Sequence, residues 1–80
     1  MDALAIYILR RLYLRHIIGE RYKPLEWLFR GLPPEECNWR KLNAAIRDLR
    51  NAGLVLLHKK GATISLNPHA LREIREAAGL

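Results

Sequence analysis

Arg40, Asn43, Arg47 and Asn51 follow one another at spacings of three and four residues, inside a stretch from Asn38 to Ala52 that holds neither proline nor glycine. That spacing places them along one side of a helix, with Ala44 among them. Their side chains suit one kind of chemistry. A guanidinium can donate twice to a guanine edge, a carboxamide can pair twice with adenine, and a small alanine lets a helix approach closely. Lys41, on the flank of the same helix, suits a phosphate. His58, Lys59 and Lys60, just before Gly61, make a second short cationic set that can reach a neighbouring phosphate or a minor groove. Six of the fourteen Lys and Arg lie between residues 37 and 60, against one carboxylate, Asp48. Charge concentrated on two adjacent segments favours a polyanionic partner.

Other chemistries lack their parts. His16, His58 and His69 fall in different segments with no Cys or carboxylate at ligand spacing, so no metal site is expected. There is no glycine-rich phosphate loop, nucleophile elbow or Ser-His-Asp arrangement, and Glu35-Glu36 is an adjacent pair that balances nearby positive charge. Neither catalysis, a cofactor nor a small-molecule ligand is expected. Cys37 is the sole cysteine, so the fold cannot depend on an internal disulfide, and an intracellular setting is the simpler reading. Trp27, Trp39 and Tyr22 are expected to pack rather than to stack on unpaired bases, which counts against RNA.

Eighty residues, half of them apolar and with a formal net charge of +6, suffice for one domain spanning 1–80. The absence of breakers predicts a first helix from Asp2 to about Ile18, stopped by Gly19. Pro24 is placed to open a short second helix carrying Leu25, Leu28, Phe29 and Leu32, ended by Gly31 and Pro33-Pro34. Asn38 is placed to cap a third, with Trp39, Leu42, Ala45, Ile46 and Leu49 as its apolar stripe and Gly53 as its end. Leu54–Lys59 and Ala62–Leu66 predict a β-hairpin around a Lys60-Gly61 turn. Asn67 and Pro68 start a last helix with Leu71, Ile74 and Ala78 inward.

The apolar run Ala3–Leu14 is interrupted by Arg10 and Arg11, and it is far shorter than the roughly 20 residues that cross a bilayer. A soluble, cytoplasmic protein without a membrane partner is expected. Helix one is nevertheless too apolar for a single buried face. On a helical wheel Ile6, Leu9, Tyr13 and Ile17 share one side, while Tyr7, Leu14 and Ile18, separated from it by Arg10, form another that either the last helix folding back or a homodimer could cover. Leu71, Ile74 and Leu80 of the last helix compete for that role.

The stretch LNAAIRDLRNAGLVLLHKKGATISLNPHAL, residues 42 to 71, resembles the winged helix-turn-helix family. The resemblance rests on the junction from Leu49 to Val55, in which a recognition helix runs through a glycine into the hairpin called the wing. It implies an α+β, mainly α fold of three helices, a two-stranded wing and a C-terminal helix. It also implies that helix 38–52 lies in the major groove of double-stranded DNA and that hairpin 54–66 tracks the backbone, as in a small transcriptional regulator or a chromatin-like accessory factor. The connection GLPPEEC, residues 31 to 37, is longer and more acidic than the family's usual turn. A winged helix can equally serve as a protein-protein interaction module in a larger complex, because fold does not fix function.

Overall fold

The Asp2 carboxylate accepts a hydrogen bond from the Ala5 N–H at 2.9 Å and so caps the first helix, α1 (Ala3–Leu14). The computed structural model describes residues 1–80, and α1 is the helix on which the rest of its core assembles. Ala5, Ile8, Leu9 and Leu12 are its buried face, one step around the wheel from the expected stripe of Ile6, Leu9 and Tyr13. The helix also ends four residues earlier than local sequence predicts. His16 turns the backbone at φ 57°, and the chain beyond it is extended. The Leu66 N–H donates to the Ile17 carbonyl at 2.9 Å and the Gly19 N–H to the Leu66 carbonyl at 3.0 Å. Pairing with a strand almost fifty positions away replaces the last helical turn.

Next comes a strand that the sequence reading does not contain, β1 (Lys23–Pro24). Pro24 belongs to this strand rather than to the first position of a helix. The Leu25 N–H donates to the Ala62 carbonyl at 3.2 Å, and Leu25–Gly31 winds as a 3₁₀-helix instead of the expected α-helix. Leu28 is its one fully buried residue. The Tyr7 hydroxyl donates to the Leu28 carbonyl at 2.6 Å, fastening this segment to α1. A short 3₁₀ turn, Pro34–Glu36, leads into α2 (Trp39–Asn51).

The Asn38 side chain accepts from the Lys41 N–H at 3.2 Å, so the expected cap is present. Leu42, Ala45, Ile46 and Leu49 are buried. Trp39, expected in the same stripe, is instead 47% exposed and rests edge-on against Phe29 at 4.7 Å. Gly53, at φ 77°, turns the chain out of α2. The hairpin follows as β2 (Val55–His58) and β3 (Thr63–Leu66). A 3₁₀ turn over Pro68–Ala70 precedes α3 (Leu71–Ala78), whose Ile74 and Ala78 are buried.

The sheet order is β1-β3-β2, antiparallel throughout. Central β3 has all four residues buried. The result is a small α+β unit, mainly helical, in which α1, α2, α3 and the sheet share one apolar core. None of its helices is long and apolar enough to cross a membrane.

Close packing of α1 on the 3₁₀ segment has a testable consequence. A Cβ on Gly31 would lie 2.6 Å from the Tyr7 hydroxyl. Gly31→Ala is therefore expected to destabilise by about 1–3 kcal/mol. Adding Tyr7→Phe removes the clashing atom, so the double variant loses less than the sum of the two singles in urea unfolding.

Candidate nucleic-acid interface

The N-cap, the four buried residues and Gly53 fix the rotation of α2, and that rotation decides which side chains face out. Arg40, Lys41, Asn43, Arg47 and Asn51 are exposed. Ala44 is half-buried. With Lys41 it borders a shallow depression that also includes Asp2, Glu36 and Asp48. The face is thus divided. Lys41 and Ala44 border an acidic depression that Arg40, Asn43, Arg47 and Asn51 do not line.

None of the cations on α2 or the hairpin is ion-paired. The one ion pair of the chain is Arg72–Glu76 on α3, 3.5 Å apart and exposed at both ends. The guanidiniums of Arg40 and Arg47 are accordingly free to donate to an incoming acceptor.

The hairpin tip is a loop of four residues, Lys59–Ala62, and not the two-residue Lys60-Gly61 turn expected from the sequence. The Gly61 N–H donates to the His58 carbonyl at 3.1 Å and the Ala62 N–H to the Lys59 carbonyl at 3.2 Å. Lys59 and Lys60 occupy the centre of the first of these turns at φ 52° and 58°. Left-handed backbone costs an ordinary L-residue about 1–2 kcal/mol, which glycine avoids and asparagine lessens. Two lysines therefore stand where turn geometry alone would select Asn-Gly.

His58 does not join them as a free contact. Its ring stacks on Tyr22 at 4.5 Å, and its Nε2 lies 3.0 Å from the Ser65 hydroxyl, which itself donates to the Gly19 carbonyl at 2.7 Å. Because the serine proton is directed at Gly19, Nε2 is the donor to Ser65 Oγ. His58 thus ties the hairpin to the segment after α1 and is withdrawn from the tip. The Lys59 ammonium lies 5.5 Å from the Tyr22 ring centroid, within the range of a cation–π contact. Tyr22 is a member of this cluster that the sequence reading assigned only to packing, since nothing local pairs it with a histidine far along the chain.

Of the stripe expected to serve a homodimer, Tyr7 and Leu14 share the outer face of α1 and Ile18 leaves it. The Tyr7 hydroxyl is bound to Leu28, Ile18 lies beyond the end of α1 in a bridge to Leu66, and Leu14 alone is widely exposed, at 59%.

No protein-family model matches the chain, and neither a curated protein nor a solved structure matches it at a significant level.

Proposed function

We propose that the protein is a non-enzymatic binder of double-stranded DNA of the winged-helix kind, working as a small regulator or a chromatin-like accessory factor. In this reading α2 enters the major groove and the hairpin is the wing. The observation that carries it is the unpaired Arg40, Asn43, Arg47 and Asn51 face of α2, followed within one glycine-containing turn by a hairpin tipped with Lys59 and Lys60. Arginine and asparagine on a helix suit base edges, and lysines on a protruding loop suit phosphates. The placement of Lys59 and Lys60 on strained backbone supports the same reading, because residues held in unfavourable backbone regions concentrate at functional positions.

The test is binding to random and to enriched duplexes across a salt series. The expected result is a log-log slope near −0.9 for each phosphate neutralised. Binding no tighter than about 10⁻⁴ M at physiological salt overturns the reading and points to the protein-interaction alternative. Lys59→Asn with Lys60→Gly sharpens the test. The double variant is expected to be more stable by about 1 kcal/mol, from relief of left-handed strain, while its salt slope is shallower by about 1–2.

A further inference from the structure

We propose that the outer face of α1 is a docking site for an acidic amphipathic helix of another protein. An open groove of about 490 Å³ runs along this face. Ile6, Tyr7 and Leu14 give it apolar surface, with Arg10 between Ile6 and Leu14 on the helical wheel and Arg11 and Arg15 along one edge. No carboxylate lines it.

Two of the three guanidiniums are held in place by other parts of the chain. Arg10 Nη1 donates to the Ala78 carbonyl at the end of α3, 3.1 Å away. Arg11 lies over the Trp27 ring at 4.3 Å, and its Nη1 sits where a Cβ on Gly31 would approach it to 3.0 Å. The Arg11 Nε is buried without an acceptor, and none of the three arginines has a carboxylate partner. Three positive charges, two of them positioned, therefore share this face with apolar side chains whose Leu14 is open to solvent, one charge among them and two along one edge. The complement is an apolar ridge with a row of negative charge along one side and a further carboxylate facing Arg10.

Ile6 to Leu14 is about 12 Å of helix, the length over which a partner helix presents apolar residues at i, i+3 or i+4 and i+7. The partner's carboxylates would supply what Arg10, Arg11 and Arg15 lack. A nucleic-acid backbone fits less well, because it would set phosphates against the apolar surface of Ile6, Tyr7 and Leu14. A second copy seated by two-fold symmetry fits less well again, because it would bring six arginines together without a counter-charge. The site is on α1 and does not depend on α2 binding DNA.

The experiment is selection from a displayed library of 16-residue peptides on the full chain, with counter-selection on the double variant Leu14→Asp, Arg15→Glu. Both positions are exposed, and an unchanged urea midpoint shows that the variant folds. The expected outcome is enrichment of peptides with Leu, Ile or Phe at helical spacing flanked by Asp and Glu. A synthetic peptide of that kind should bind the double variant at least about tenfold more weakly and bind an Arg40→Ala, Arg47→Ala variant unchanged. No enrichment, or enrichment without acidic bias, overturns the proposal. So does displacement of the peptide by duplex DNA with matching shifts of the α1 amides, which would assign the groove to nucleic acid. A dimer in sedimentation that Leu14→Asp, Arg15→Glu dissociates would assign it to a second copy.

Discussion

Replacing Arg40, Asn43 and Arg47 together by alanine is expected to weaken binding to an enriched duplex by at least about a hundredfold, since each good base contact is worth about 1–3 kcal/mol. Stability should hardly change. All three side chains are exposed and unpaired, alanine has a high helix propensity, and surface changes of this kind usually stay within about 0.5 kcal/mol. The informative comparison is between duplexes. Loss of base contacts should flatten the preference for the enriched sequence, leaving the weaker, salt-sensitive binding expected of Lys59 and Lys60 under the proposed reading. Equal affinity of wild type and variant would remove α2 from the interface, and duplex binding would then have to be sought elsewhere on the surface or abandoned for a protein partner.

Leu66→Ala should have the largest effect on folding, about 2–5 kcal/mol, the cost of emptying a fully buried leucine site. Leu66 is completely buried in β3, pairs with Val55 of β2, and exchanges backbone hydrogen bonds with the Ile17–Gly19 segment. The backbone bonds survive the substitution, so the loss is one of packing at the point where the end of α1, the hairpin and the core meet. A domain of this size commonly has a stability near the lower end of the 5–15 kcal/mol range, roughly 5 kcal/mol. The variant is therefore expected to retain about 0–3 kcal/mol and to melt at least about 8 °C below the wild type by circular dichroism. Leu14→Ala serves as the control, since Leu14 is exposed, and a shift beyond about 0.5 kcal/mol there would be unexpected.

Much of this architecture was legible in the sequence wherever the signal was local. Asn38 and Asn67 cap helical segments, Gly53 turns the chain out of α2, and the apolar spacing of Leu42, Ala45, Ile46 and Leu49 orients the helix correctly. What local reading missed was imposed from a distance. Ile17 and Ile18 continue the apolar pattern of α1, yet backbone pairing with Leu66 is available and draws them into extended structure. Lys23 and Pro24 carry no strand signature and become a strand because Ile64 and Thr63 lie beside them. The candidate site divides along the same line. The α2 face is a matter of helix periodicity and was legible. The inward turn of His58 depends on Ser65 and Tyr22, and the acidic flank beside Ala44 depends on Asp2 and Glu36, so neither could be seen from neighbouring residues.

Asn67 makes three connections at the point where the hairpin returns. Its amide Nδ2 donates to the Gly53 carbonyl at 2.8 Å, its backbone N–H donates to the Leu54 carbonyl at 3.0 Å, and its Oδ1 accepts from the His69 N–H at 3.0 Å. The exit of α2, the start of β2 and the entry to α3 are thereby fastened to one residue. The exit of α2 and the backbone that leads to the lysines are coupled through this clamp, so in the proposed arrangement both would meet a duplex without loop closure. Little of the interaction energy is then spent on ordering the main chain. Association should be governed by collision and orientation, with single-exponential kinetics and a rate constant that rises toward about 10⁸ M⁻¹s⁻¹ as ionic strength falls.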